Sequence, residues 1–161
     1  MAGQYAAEAG AVSITSCGTA LREVVASSIT ARAAYDDMPS GRPLAYPAVV
    51  VVWTSTKSDS LLHMGAGGAQ KWARSAVRNT HQFSVYALLS TTQNTEAEGA
   101  AQKTAAQSIL NAVNNDATLR GTSGVDRCAA AKVVTIQPYR EVIDDTTVVA
   151  GVQATVAVEE M

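Results

Sequence analysis

Thiols, imidazoles and paired carboxylates are the side chains with which a chain most readily makes and breaks bonds, and this sequence spends few residues on them. Cys17 and Cys128 stand far apart and form no C-x-x-C pair, so zinc binding and thioredoxin-like exchange lack their signature. Two reduced, mostly buried thiols are the simpler expectation. His63 and His81 are the only histidines, and neither has metal-ligand spacing to a cysteine or an acid. Asp36-Asp37 and Asp144-Asp145 offer the carboxylates of an acid–base pair. Both pairs fall in turn-rich stretches, where aspartate is favoured for local hydrogen bonding. Gly65-x-Gly67-Gly68 is a poor phosphate cradle, because no strong strand precedes it and no Gly-Lys-Ser/Thr follows. Ser13 and Ser16 lie in no nucleophile-elbow context. The reading is of a non-enzyme: no catalytic residues, no cofactor-binding residues and no metal ligands.

One cluster stands apart from this sparse background. Lys71, Trp72, Arg74 and Arg78 fall together in a chain with only 16% charged residues. In a helix the three cations share a face; in an extended chain Lys71 and Arg74 point to opposite sides. Such a group is a solvated basic face, a docking site for an acidic protein surface, or a contact to a nucleic-acid backbone without sequence readout. Tryptophan beside arginine also fits a protein–protein hot spot. These four residues are the candidate protein-interface site.

Composition narrows the classes. The chain has 161 residues, a formal charge of −2 and 47% hydrophobic residues, with one Phe, two Trp and five Tyr. That length suits one domain, which at this size buries roughly 70% of the surface its unfolded chain exposes. The charge balance argues against wholesale nucleic-acid binding, which usually requires a basic domain. The N-terminal MAGQYAAEAG carries Glu8 and no basic residue, so it resembles neither a signal nor a transit peptide. The strongest apolar run, Tyr46 to Trp53, is far short of the roughly 18 residues of a membrane span. A soluble protein without membrane partners is expected.

The elements that must position these residues follow from periodicity. Residues 1–14 read as a flexible arm, and 15–161 as a single domain. Leu21, Val24, Val25, Ile29 and Ala33 recur at helical spacing and predict a helix from about Ser16 to Ala34. Tyr46–Trp53 is the strongest strand, entered through Pro47 and apolar on both faces, as a doubly covered strand is. Thr54 to Arg78 reads as an excursion, with strand pieces near Ser60–His63 and Ala69–Ala76. Arg78–Thr91 is a second strand, with His81, Phe83, Val85, Ala87 and Leu89 on one face. Thr95 as N-cap with Glu98 three residues on makes a capping box. Ala101, Ala105, Ile109, Ala112 and Val113 continue that helix to the Asn114-Asn115 stop. Asp126–Tyr139 and Thr147–Val158 pair most simply as an antiparallel hairpin. The result is an α+β fold: a mainly antiparallel sheet of about four strands, two main helices packed on it, and a long projecting hairpin or loop.

In order and spacing, these segments resemble the tail terminator (tail completion) proteins of long-tailed bacteriophages. The likeness is carried by ALREVVASSI, YPAVVVVW, HQFSVYALLS, TEAEGAAQKTAAQSILNAV, NNDATLRG and the closing VAVEEM, and covers roughly residues 16–161. None of these is a signature motif. The resemblance implies a structural virion protein of the tail and neck, assembled in the host cytoplasm as a hexameric ring of identical subunits. Its partners would be further copies of itself, the tail-tube protein and a head-completion or neck protein, with DNA passing through the ring lumen. It implies no catalytic residues and no cofactor. The Ser55–Ala76 segment departs from the family pattern. A neck adaptor or a tail-tube-like protein shares much of this outline; a small hydrolase and a basic-loop nucleic-acid binder are the alternatives from other classes.

Overall fold

A computed structural model describes residues 13–40, 43, 45–60, 77–90, 95–142 and 148–160. Helix α1 (Ile14–Ser28) leads into strand β1 (Ala33–Tyr35), followed by β2 (Ala48–Ser60), β3 (Val77–Ser90), helix α2 (Thr95–Asn115), a short 3₁₀ turn (Gly121–Ser123), β4 (Ala130–Val142) and β5 (Val148–Glu159). The five strands form one sheet in the order β1-β2-β3-β5-β4. Only β1 and β2 are parallel; every other neighbouring pair is antiparallel. The fold is therefore α+β, with one strand more than the sequence suggested.

The additional strand comes from the tail of the expected first helix. α1 starts at Ile14, inside the expected N-terminal arm, capped by Ser13 through a capping box in which Ser13 and Ser16 each accept the other's backbone N–H, at 3.2 and 3.0 Å. It stops at Ser28 rather than Ala34. Thr30 takes a left-handed φ of 53°, and the Ala31 N–H returns to the Ala26 carbonyl at 2.9 Å while that of Thr30 reaches Ser27. These are the bonds of a Schellman stop, which usually recruits glycine. The chain then turns alongside β2, with the Arg32 N–H donating to the Pro47 carbonyl at 2.7 Å.

Both helices cover the same face of the sheet. Leu21 and Val25 of α1 and Ile109 and Val113 of α2 meet Val49, Val51, Phe83, Val85, Val152 and Val156 in one core. Along α2 the predicted stripe holds at Ala105, Ile109 and Val113, whereas Ala101 is exposed. Thr95 is the first helical residue rather than the cap, and its side chain lies outside the described residues. Glu98 is buried and faces across to Arg140 Nε of β4 at 3.6 Å. The opposite sheet face carries a smaller cluster, in which Ala48, Val50, Leu88 and Val149 are buried beneath or beside Tyr35, Tyr46, Tyr86 and Tyr139. The continuous apolarity of β2 is thus explained: its alternate residues enter two different cores.

Beyond Trp53 the β2 strand does not end. It runs on to Ser60, paired with β3 as far as Val77, and the described side chains from Trp53 to Asp59 are exposed. These are the two arms of a hairpin. Solvent on both sides removes the need for apolar alternation, so a polar Ser/Thr-rich sequence can continue the ladder. The predicted strand pieces near Ser60–His63 and Ala69–Ala76 fall, apart from Ser60, outside the described residues. At the far edge, β4 contains a bulge between Val133 and Thr135, and Pro138. Two features of an edge strand that discourage pairing with another chain are therefore present. Between β3 and β5 the backbones approach closely at Gly151, where a Cβ atom would stand 2.0 Å from the Ala87 carbonyl oxygen.

Candidate functional site

Among the described residues, those singled out for chemistry do not converge. Cys17 and Cys128 are free thiols with no exposed surface, in the same core. Burial, then the charge of Glu160, pushes Cys17 up to about 11; burial above all takes Cys128 to about 12. Asp36 accepts from Arg22 at 2.9 Å. Asp37 accepts the Met38 N–H at 2.8 Å, as turn aspartates do, and has no cationic partner among the described residues. His63, the Gly65–Gly68 turn, Lys71, Trp72, Arg74, Asp144 and Asp145 lie outside the described residues. Arg78 sits on β3 and pairs with Glu159 of β5 at 2.9 Å, so its charge is already matched within the chain. Among the described residues, no group of three or more His, Cys, Asp and Glu could hold a metal ion.

What the fold does assemble is a chain of hydrogen bonds centred on His81. Cross-strand register sets Thr56 of β2 opposite His81 of β3. The Thr56 hydroxyl lies 2.7 Å from His81 Nδ1, and His81 Nε2 lies 2.6 Å from Glu160 Oε1, just past β5. Glu160 Oε2 accepts from the Asn79 side-chain amide at 3.1 Å, and its backbone N–H donates to the Asn79 carbonyl at 3.0 Å. At the other end Trp53 Nε1–H donates to the Thr56 oxygen at 2.9 Å. With Glu160 ionised, one assignment satisfies every group: Trp53 gives to Thr56, Thr56 gives to Nδ1, and Nε2–H gives to the carboxylate. His81 is 2% exposed and lies edge-on to Phe83, with ring centroids 6.4 Å apart.

Hydroxyl, imidazole and carboxylate in line are the parts of an activated nucleophile. Here, however, the hydroxyl oxygen already accepts the Trp53 N–H, and the imidazole is walled in by the sheet core. The arrangement instead fixes Trp53. That indole is 48% exposed and has its only polar atom satisfied. The Thr56 hydroxyl, itself bonded to the buried His81, anchors the indole N–H, so less rotamer entropy remains to be lost on contact.

Trp53 borders a cleft of about 270 Å³ between the start of α1, the turn after β1 and strand β2. The buried Gly18 and Phe83 line it together with Val52 and with the exposed Trp53, Asp36 and Asp37. An aromatic face beside two carboxylates, one of them without a cationic partner among the described residues, is suited to a positively charged side chain. Sequence reading missed this site. Glu160 is 79 residues from His81 and Thr56 is 25 residues away, so no local spacing links them. The one available sign was a large aromatic placed where the apolar run gives way to serine and threonine. No protein-family model matches the chain, and no curated protein matches it.

Proposed function

We propose that the protein is a structural subunit of a phage virion, one that ends the tail tube and joins it to the head or neck as a ring of identical copies. The observation that carries this reading is Trp53, an exposed aromatic whose N–H is tied to Thr56 and which borders a cleft with two carboxylates. Its design favours recognition of another surface over chemistry on a small substrate. Tryptophan is among the residues most enriched where association energy concentrates. The blunted β4 edge supports the same reading, because it steers association toward faces rather than toward strand addition, and closed rings are built from such heterologous face contacts. Exposed Val125, Val134 and Val142 add apolar surface. Of the four residues expected at an interface, Arg78 pairs with Glu159, and Lys71, Trp72 and Arg74 lie outside the described residues.

The test is the mass of the purified chain by sedimentation and native mass spectrometry, alone and with tail-tube protein. A closed oligomer, alone or on the tube, is expected. Trp53→Ala should weaken association about 30-fold, the effect of losing a hot-spot aromatic, while the far-UV spectrum is kept. A chain that stays monomeric in both settings overturns the reading.

A further inference from the structure

We infer that the outer edge of β2 from Ser55 to Ser60 is a pairing edge for a second copy of this chain, with the two strands antiparallel about a two-fold axis at Ser58. The inference goes beyond the ring reading and does not depend on it. On its inner edge β2 pairs with β3 from Ala48 to Ser60. On its outer edge β1 meets it only at Ala48–Val50. No other strand among the described residues lies on that side. The outward backbone N–H and C=O groups from Ser55 to Ser60 therefore have no ladder partner there, which is the condition for adding a strand. The described side chains from Trp53 to Asp59 are exposed, so the approach is open. The β4 rim is different, since it carries a bulge and Pro138. Past the shift between Trp53 and Ser55, the β2 rim keeps a regular register and has no proline.

Charge identifies the occupant and its register. Asp59 stands directly opposite Arg78, and Arg78 pairs with Glu159 at 2.9 Å. Signs therefore alternate from β5 through β3 to β2, and a cation is the residue that continues this row on a further strand. Lys57 lies on the same side of β2 as Asp59, because side chains alternate along a strand. Its own contact with Asp59 is 3.8 Å long, between side chains 78% and 52% exposed, and exposed pairs of this kind contribute little. An antiparallel copy centred on Ser58 sets its Lys57 opposite Asp59 and, by symmetry, its Asp59 opposite Lys57. A centre at Lys57 or at Asp59 would set like charges face to face, which is how an edge lysine ordinarily discourages pairing. Ser58 is the centre that satisfies both charges, so the chain's own sequence is matched to the edge where its sheet stops. Such a contact is isologous, whereas ring contacts are heterologous; it joins copies that are not neighbours around a ring.

A ladder of about five residues buries little surface, so the test traps it covalently. Ser58→Cys in the full chain should form a disulfide-linked dimer in a glutathione buffer, because directly opposite residues have Cβ atoms about 4.5–5.5 Å apart. The native thiols do not compete, since Cys17 and Cys128 have no exposed surface. In that background, Lys57→Asp alone and Asp59→Lys alone should each slow dimer formation about tenfold with far-UV spectra unchanged, since two attractive pairs become repulsive. Mixed in equal amounts, the two variants should form the mixed dimer at a rate within about threefold of Ser58→Cys itself, as complementary charges across an interface do. Intact mass separates the mixed dimer from either like pair. A Ser58→Cys chain that stays monomeric, trapping that ignores the charge changes, or two variants that fail to cross-link with each other overturns the edge contact. The ring is judged separately, by the mass of the chain without these substitutions, alone and with tail-tube protein, so either reading can fail without the other.

Discussion

Replacing Gly151 with alanine is the sharpest test of how the sheet is built. A Cβ at this position would lie 2.0 Å from the Ala87 carbonyl oxygen, 2.9 Å from the Ala87 carbonyl carbon and 3.1 Å from the Leu88 Cα. All three atoms are backbone, so no side chain can swing aside. They belong to β3 beside the register shift between Leu88 and Ser90, where it pairs with β5. Relief requires the two strands to part by more than about 1 Å, since ordinary contact begins near 3.4 Å. Overpacking of this kind costs about 1–3 kcal/mol, and a clash with rigid backbone belongs at the upper end. At about 3 kcal/mol the melting temperature should fall by roughly 6–12 °C for a domain of this size. Gly99→Ala is the control. Gly99 lies in α2 with nothing within 4 Å of the added methyl, so helix propensity alone acts and should stabilise by about 0.5–1 kcal/mol. Thermal melts of the two variants beside wild type decide the matter. If Gly151→Ala melts within about 2 °C of wild type, the close approach of β3 and β5 at this point is wrong.

Three further outcomes follow from the same coordinates. Thr30→Gly should raise stability by about 1 kcal/mol in urea titration, because the β-branched residue now occupies a left-handed φ of 53° that glycine adopts without penalty. His81→Ala should cost about 2–4 kcal/mol and weaken the near-UV signal of Trp53, since it opens a void beside Phe83 and removes one partner each from Thr56 and Glu160. The buried thiols have folded pKa values raised from 9.0 to about 11 and about 12. Their neutral form is favoured in the fold, so that contribution is complete below pH 9 and is lost progressively as pH rises toward 12. Unfolding titrations from pH 7 to pH 10.5 should show the decline beginning above pH 9, and a thiol reagent should label the native chain only as fast as it opens.

Periodicity revealed most of the sheet, because strands with one wet face announce themselves. Val152, Ala154, Val156 and Val158 alternate with Gln153, Thr155 and Ala157, and their hairpin with β4 is as expected. The end of α1 was illegible for a definite reason. Its left-handed residue is threonine, which carries none of the glycine or asparagine signal by which such stops are read, and Ile29 and Ala33 kept the helical spacing going past it. The local stop is followed at once by a tertiary bond, the Arg32 N–H donating to the Pro47 carbonyl, which no local spacing announces. The length of β2 was hidden similarly, since the polar Thr54–Ser60 stretch is held by its pairing with β3 and has no buried face to pattern. The Trp53 site depends on contacts between β2, β3 and the residue after β5, which only the completed fold brings together.

The strand order has a consequence for synthesis. Among the described strands β5 is made after all the others, yet it lies between β3 and β4 rather than on the rim. Until it emerges from the ribosome, one flank of β3 has no partner, and Phe83 and Val85 lack the Val156 and Ala154 that will border them. A chain cut short within β5 would therefore be left with a gap through the middle of its sheet.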